Sequence, residues 1–277
     1  MEIRVLGCSG GIGGAARRTT AFCVDTDILI DCGTGVGDLP FEALVGLDHV
    51  FLTHAHLDHI ALLPMLIDST MSERTHPLMV YGLPETLDVL RRHIFNWAIW
   101  PDFTRLPSAE APALRLVPVV HGQTLDLDGR RIQVLPARHS VPAAGYYLQC
   151  GDAGFAFTGD TTVCSSLLAA LNALPNLRYL VVETAFPEAM RARAEASSHL
   201  HPEALGHFLS ALSGSPDVYV THLKPNCEGA ACAEIVALDC TPPPRFLQPG
   251  QIFRLAAGKG RDRETRESLA PVDTGRA

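Results

Sequence analysis

A four-layer αββα sandwich of the α+β class is the fold this sequence predicts, on three observations. The first half of the chain is crowded with short β-like runs that end in helical pattern, and the second half repeats that order. Ligand-type polar residues stand directly behind several hydrophobic runs, where they would crown the ends of buried strands. No shift of composition marks a boundary before residue 258, so residues 1–257 read as a single domain.

Residues 2–7 form the first expected strand. The glycine-rich run Gly7-Cys8-Ser9-Gly10-Gly11-Ile12-Gly13-Gly14 follows; it lacks the lysine of a phosphate-binding P-loop and reads as a tight turn near the floor of a site. Runs 20–24 and 27–31 are strands joined by a turn at Asp25, and Gly33-Thr34-Gly35 closes the second. A strand at 48–52 precedes a helix over 58–69, with Pro64 as a kink. A short strand at 78–81 is followed by helical pattern over 84–95. Strands recur near 115–120, 123–127, 131–136, 144–149 and 154–158. Helices at 163–173 and 202–212 then alternate with strands at 178–183 and 217–221, and a last helix near 229–238 leads into Pro242-Pro243-Pro244 and further strand-like segments. Residues 258–277 are charged and nearly free of large apolar groups, the pattern of a disordered tail.

Composition excludes several function classes. The chain has 277 residues, 47% of them hydrophobic, enough for a substantial core. Its formal net charge is -8 and its only lysines are Lys224 and Lys259, so an extended nucleic-acid surface is not expected. No apolar run reaches membrane-spanning length, and the N-terminus lacks the apolar region of a signal peptide. The eight cysteines form no CxxC pair and sit among apolar or small residues, which fits free thiols and a cytoplasmic protein.

The densest chemical signal is Thr53-His54-Ala55-His56-Leu57-Asp58-His59, directly behind Val50-Phe51-Leu52. Imidazoles suit zinc, and the carboxylate adds a hard oxygen and part of the neutralising charge. His54 and His56 can face one side of an extended turn, whereas Asp58 and His59 open the next helix and face a second position, so the spacing points to two metals. Further ligands are sought behind other strands. His139 follows Ile132-Gln133-Val134-Leu135, Asp160 follows Gly154-Phe155-Ala156-Phe157, and His222 follows Asp217-Val218-Tyr219-Val220. His199, behind Ser198, comes sixteen residues after the strand-end acid Glu183.

The ordered set His54-x-His56-x-Asp58-His59, His139, Asp160, His222 resembles the metallo-β-lactamase superfamily. The resemblance implies that His54, His56 and His139 bind one ion, that Asp58, His59 and His222 bind the other, and that Asp160 bridges both. Asp160 in that place, with Ser198-His199-Leu200 behind Val182-Glu183-Thr184, is similar to the phosphodiesterase branches, including the tRNA 3′-processing endonucleases. His56-Leu57-Asp58-His59-Ile60, Gly33-Thr34-Gly35 and His139-Ser140-Val141-Pro142-Ala143-Ala144-Gly145-Tyr146 look most like motifs of the class II 3′,5′-cyclic-nucleotide phosphodiesterases.

The implied activity is hydrolysis of cAMP or cGMP to the 5′-monophosphate by a metal-bridged hydroxide, with two Zn²⁺ ions, or Mn²⁺ or Fe²⁺, as cofactors. Asp58 is expected to be a ligand that also accepts the nucleophile's proton, His199 to assist the leaving oxygen, and Glu183 to orient His199. Asp31, Thr53 and Thr161 are candidates to support the ligands. The substrate would be a small anionic nucleotide, its base stacked on Trp97, Trp100 or Phe103. The same aromatic segment, 95–103, also reads as a core helix end or as the contact of a homodimer. The alternatives are tRNA 3′-end processing, a small-molecule ester or lactone hydrolase, and a metal-stabilised binding protein.

Overall fold

In the computed structural model, which describes residues 1–14 and 16–255, two seven-stranded sheets pack face to face with helices on both outer sides. The first sheet contains β1 (Glu2–Gly7), β2 (Ala21–Val24), β3 (Ile28–Ile30), β4 (His49–Phe51), β5 (Leu78–Gly82) and β6 (Leu114–Pro118). The second contains β7 (Thr124–Leu127), β8 (Arg130–Pro136), β9 (Ala144–Cys150), β10 (Ala153–Phe157), β11 (Leu177–Glu183), β12 (Asp217–Thr221) and β13 (Arg245–Phe246). The last strand, β14 (Ile252–Arg254), returns to pair antiparallel with β1. Strand order is β14-β1-β2-β3-β4-β5-β6 in one sheet and β13-β12-β11-β10-β9-β8-β7 in the other. Each sheet is antiparallel on one side and parallel on the other. The parallel pairs are β3 with β4, β4 with β5 and β5 with β6, and β10 with β11, β11 with β12 and β12 with β13. The expected four-layer sandwich is the observed fold. The expected tail, 258–277, lies outside the described residues.

Period-two patterning builds the layers. In β2, Phe22 and Val24 face the other sheet while Ala21 and Cys23 face helices; in β3, Ile28 and Ile30 point inward and Leu29 outward. Strand β10 sends Phe155 and Phe157 inward and Ala156 outward. Such strands are apolar on both faces because each face is covered.

The helices covering the first sheet are α1 (Phe41–Val45), α2 (Leu57–Ile60), α3 (Leu63–Thr70) and α4 (Pro84–Val89), the last continuing as a π-helical turn over Leu90–Ile94. Those on the second are α5 (Ser165–Asn172), α7 (Pro202–Ser210) and α8 (Glu228–Val236), while α6 (Arg191–Ala196) packs Ala194 against Ala185 and Phe186 in the connection behind β11. The helix expected over 58–69 is two helices, and Pro64 opens the second instead of kinking the first. A proline in the first turn forfeits no intrahelical hydrogen bond, so this placement carries no penalty. Helices α1 and α6 were not expected, because five and six residues are too few to display a helical period.

Three cross-links between the sheets fix the ends of the strands that matter for chemistry. Tyr146 Oη donates to the Leu52 carbonyl at 2.7 Å, and the Ala144 amide donates to the Thr53 carbonyl at 2.9 Å. The His222 amide donates to the Cys8 carbonyl at 2.9 Å. The glycine-rich turn is tight for a steric reason: a Cβ on Gly10 would stand 2.3 Å from the His222 carbonyl oxygen.

Phe22 joins the sheets most directly, with ring centroids 4.9 Å from Phe157 and 6.0 Å from Phe155. Phe22→Ala is expected to destabilise the fold by about 3–5 kcal/mol, read from urea unfolding. A loss well under 1 kcal/mol would mean that the sheets do not depend on this contact.

Candidate active site

The ligand-type residues meet at one edge of the sandwich, outside the carboxyl ends of the parallel strands. Position follows from topology: β3 ends before Asp31, β4 before Thr53 and His54, β10 before Asp160, β11 at Glu183 and β12 before His222. His139 stands on the loop between β8 and β9. Helix α2 begins behind His56, which puts Asp58 and His59 in its single turn. Left-handed backbone at Asp31 (φ 58°), Ser198 (φ 58°) and His222 (φ 65°) concentrates strain at this edge, as expected where the surroundings over-determine a functional site.

Donor atoms converge in two groups that share no residue, His54, His56 and His139 and then Asp58, His59 and His222, and Asp160 closes two overlapping ones, with His54 and His59 and with His139 and His199. His54 Nε2 and His139 Nε2 lie 3.0 Å and 3.2 Å from His56 Nδ1. His222 Nε2 lies 3.8 Å from Asp58 Oδ2. Asp160 stands between the groups: its Oδ2 is 3.7 Å from His54 Nε2, 3.9 Å from His139 Nε2 and 3.2 Å from His222 Nε2, and its Oδ1 is 3.5 Å from His59 Nε2. Bonds of ~2.1 Å to a tetrahedral ion would set ligands about 3.4 Å apart, inside this spread.

Two further observations fit a divalent cation. His59 Nε2 and Asp160 Oδ1 are buried and neither has a hydrogen-bond partner, the two standing 3.5 Å apart. The electrostatics also suit ligation. Burial lowers the pKa values of His54 and His56, takes His139 down to about 4 and takes His222 down to about 3, so these rings favour the neutral form that a metal ligand needs. Burial opposes ionisation of Asp160, but His222 and His59 outweigh it and hold the carboxyl well below its usual value. For His59, burial acts downward and the carboxylates of Asp160 and Asp31 prevail, raising it well above an ordinary imidazole.

An outer ring of hydrogen bonds aims these ligands. Asp31, fully buried, has Oδ2 2.7 Å from His59 Nδ1; it also accepts from the Thr53 amide and hydroxyl, each at 2.8 Å. Thr53 Oγ1 is 3.0 Å from His54 Nδ1. His139 Nδ1 donates to the Ser198 carbonyl at 3.0 Å. Glu183 Oε1 lies 2.8 Å from His199 Nδ1 and accepts from the Thr161 amide at 3.0 Å. Burial pushes the Glu183 carboxyl up; burial pulls His199 down, but Glu183 outweighs it and raises the imidazole. The His199 ring is 4.8 Å from that of His139 and 5.2 Å from that of His222.

All seven residues read from the sequence as ligands are thus brought together, and Asp31, Thr53, Glu183 and His199 stand around them. The aromatic segment does not join them. Phe103 is 1% exposed and sits in the core between the first sheet and its helices, its ring 6.1 Å from Phe95, so a base cannot stack on it. Trp100 packs partly on that same core, and Trp97 is 60% exposed on a tight loop. Burial accounts for Phe95 and Phe103, whereas Ile99 is exposed like Trp97.

One functional candidate was missed. Lys224 places Nζ 3.0 Å from His222 Nε2 and 3.7 Å from Asp58 Oδ2, a fixed positive charge beside the second group of ligands. Its signal in the sequence was slight: it is the single lysine among the described residues and comes two positions after His222.

A family model, the beta-lactamase superfamily domain, matches residues 26–223. A Yersinia pestis protein described as a probable 3′,5′-cyclic-nucleotide phosphodiesterase is 28% identical over 201 residues, 64% of this chain and 57% of that one. The chain therefore spans little more than half the length of that relative. A ribonuclease Z of Mycobacterium sp. strain KMS is 28% identical over 274 residues, 90% of this chain and 93% of its own. The crystal structure of yeast PDE1 superposes with a TM-score of 0.75 over 92% of this chain and 99% of that one, at 21% identity, a likeness of fold.

Asp31 holds His59 without facing the donor groups itself. Asp31→Asn is expected to weaken binding of the ion held by His59 by roughly 10–100-fold, measured by competition with a chromophoric chelator. Unchanged affinity would show that the bond to His59 does not tune that ligand.

Proposed function

This chain belongs to the beta-lactamase superfamily of metal-binding hydrolases, and we propose that its substrate is a 3′,5′-cyclic nucleotide, cAMP or cGMP, opened to the 5′-monophosphate. Two divalent ions, zinc by the histidine-rich donor set, would be held by His54, His56 and His139 and by Asp58, His59 and His222, with Asp160 shared. Such ions supply positive charge against phosphate oxygens and make water acidic enough to attack at neutral pH.

The observation that carries the reading is the Glu183–His199 pair set against both ligand groups. Opening a cyclic phosphodiester expels the 3′-oxygen, a poor leaving group that needs a proton. His199 has its Nδ1 fixed by Glu183, which leaves Nε2 to donate. Glu183 keeps the ring oriented and favours its protonated form, and with Glu183 0% and His199 6% exposed the pair is sheltered from bulk water. Asp58, held below its usual pKa against burial by His59 and His222, is a ligand and an acceptor for the proton of the attacking water. Lys224 adds a cation for the oxygens of the anionic substrate.

The ribonuclease Z relatives favour a second reading, since the Mycobacterium match runs nearly end to end. Charge argues against it. Among the described residues Lys224 is the only lysine, and Arg17, Arg18, Arg74, Arg130 and Arg191 are engaged by carboxylates. A folded RNA needs free cations along its backbone.

The deciding experiment is hydrolysis of cAMP and cGMP by metal-replete protein, with Asp160→Ala as the matched blank. Turnover that vanishes in the variant is the expected result. Cleavage of a tRNA precursor with neither cyclic nucleotide touched would reverse the order of the two readings. His199→Ala should cost about 10²–10⁴-fold in kcat on the cyclic nucleotide. It should cost little on bis(4-nitrophenyl) phosphate, whose leaving group needs no proton. Equal losses on both substrates would remove His199 as the proton donor.

A further inference from the structure

A cavity of about 590 Å³ opens beside the ligand cluster, walled by Leu83, Pro84, Val120 and Pro142 and carrying Glu85 and Arg138. It forms where three connections meet: β5 to α4, β6 to β7, and β8 to β9. His139, on the last of these, is both a ligand and part of the cavity wall. The volume falls within the ~300–1,000 Å³ of small-molecule sites.

The wall combines apolar and charged side chains. Val120 is 57% exposed, a β-branched apolar side chain held in the open next to the polar cluster. The Glu85 carboxylate and the Arg138 guanidinium make no hydrogen bond or ion pair with a described residue, nor with each other, whereas many other arginines here are paired. His121 in the same wall is tied down, its Nε2 3.1 Å from the Ala143 carbonyl oxygen. Apolar surfaces with an unpaired acceptor and an unpaired donor fork suit a flat, polar-edged ring.

We propose that this cavity seats the base and ribose of the nucleotide, and that Glu85 and Arg138 select guanine over adenine. The inference rests on the cyclic-nucleotide reading and extends it. In a cyclic nucleotide the phosphate is fused to its ribose, so the base cannot lie far from the ligands, and His139 joins the two regions. Arginine matches the O6 and N7 acceptors of guanine as a bidentate fork, and adenine presents a donor where O6 would be. A carboxylate, acceptor-only, matches the N1–H and N2–H donors of guanine. The base site anticipated at Trp97, Trp100 and Phe103 is replaced by this one.

Calorimetric binding of 5′-GMP, 5′-AMP and inorganic phosphate to the metal-replete full chain tests the assignment, using wild type, Val120→Trp and Glu85→Gln. Wild type should bind 5′-GMP at least tenfold more tightly than 5′-AMP. Val120→Trp, which fills the cavity from an exposed position, should weaken 5′-GMP at least tenfold while phosphate binding stays. Glu85→Gln should erase most of the preference for guanine. Equal affinity for 5′-AMP in wild type overturns the guanine assignment, and 5′-GMP binding that is absent, or indifferent to Val120→Trp, overturns the cavity. Loss of the parent reading looks different: neither cyclic nucleotide is turned over, yet 5′-GMP binding still responds to Val120→Trp.

Discussion

Asp160 is 1% exposed and ionised, with imidazoles from both halves of the chain around its two oxygens. An ionised carboxylate so deep in a protein is costly unless positive charge and hydrogen-bond donors surround it. The layout of the site follows from that constraint. His54 and His59 come from the loop and helix behind β4, His139 from the loop before β9, and His222 from the end of β12, so the sheets must meet in register for the carboxylate to be tolerated. The cross-links from Tyr146 to Leu52 and from His222 to Cys8 hold that register at the edge where it matters.

Burial and charge act on the same residues with opposite consequences, and the balance differs from ligand to ligand. His139 and His222 are driven neutral by burial, whereas His59, between Asp31 and Asp160, keeps a high proton affinity. The contrast comes from what faces the second ring nitrogen. A backbone carbonyl stands behind His139, and a carboxylate behind His59. His199 repeats the His59 arrangement with Glu183 as its carboxylate. One structural device, an imidazole backed by a buried acid, thus appears once within the ligand set and once beside it.

The fold edge that carries these groups also explains why the surroundings are polar and open. Strands that are apolar on both faces can present chemistry only at their ends, and the connections leaving those ends are free to carry it. The start of α4 and the loops at 120–121 and 137–143 add a cavity to the same edge, and His139 belongs both to its wall and to the donor cluster.

The sequence by itself determined the layers and which donor residues stand behind their strands. Alternation in runs such as Phe22 to Val24 and Phe155 to Phe157 is local, and a histidine or aspartate directly behind such a run is carried to a sheet edge wherever the strand sits. Two helices and the division at Pro64 were illegible, because elements of four to six residues show no period. The tertiary structure alone decided which groups share a cavity. Phe103 looked available and is in the core, whereas Lys224 looked incidental and stands against His222. Leu83, Val120 and Arg138 are far apart along the chain and line one wall. Proximity of that kind depends on how separate connections fold over one sheet edge, and no pattern within a single segment records it.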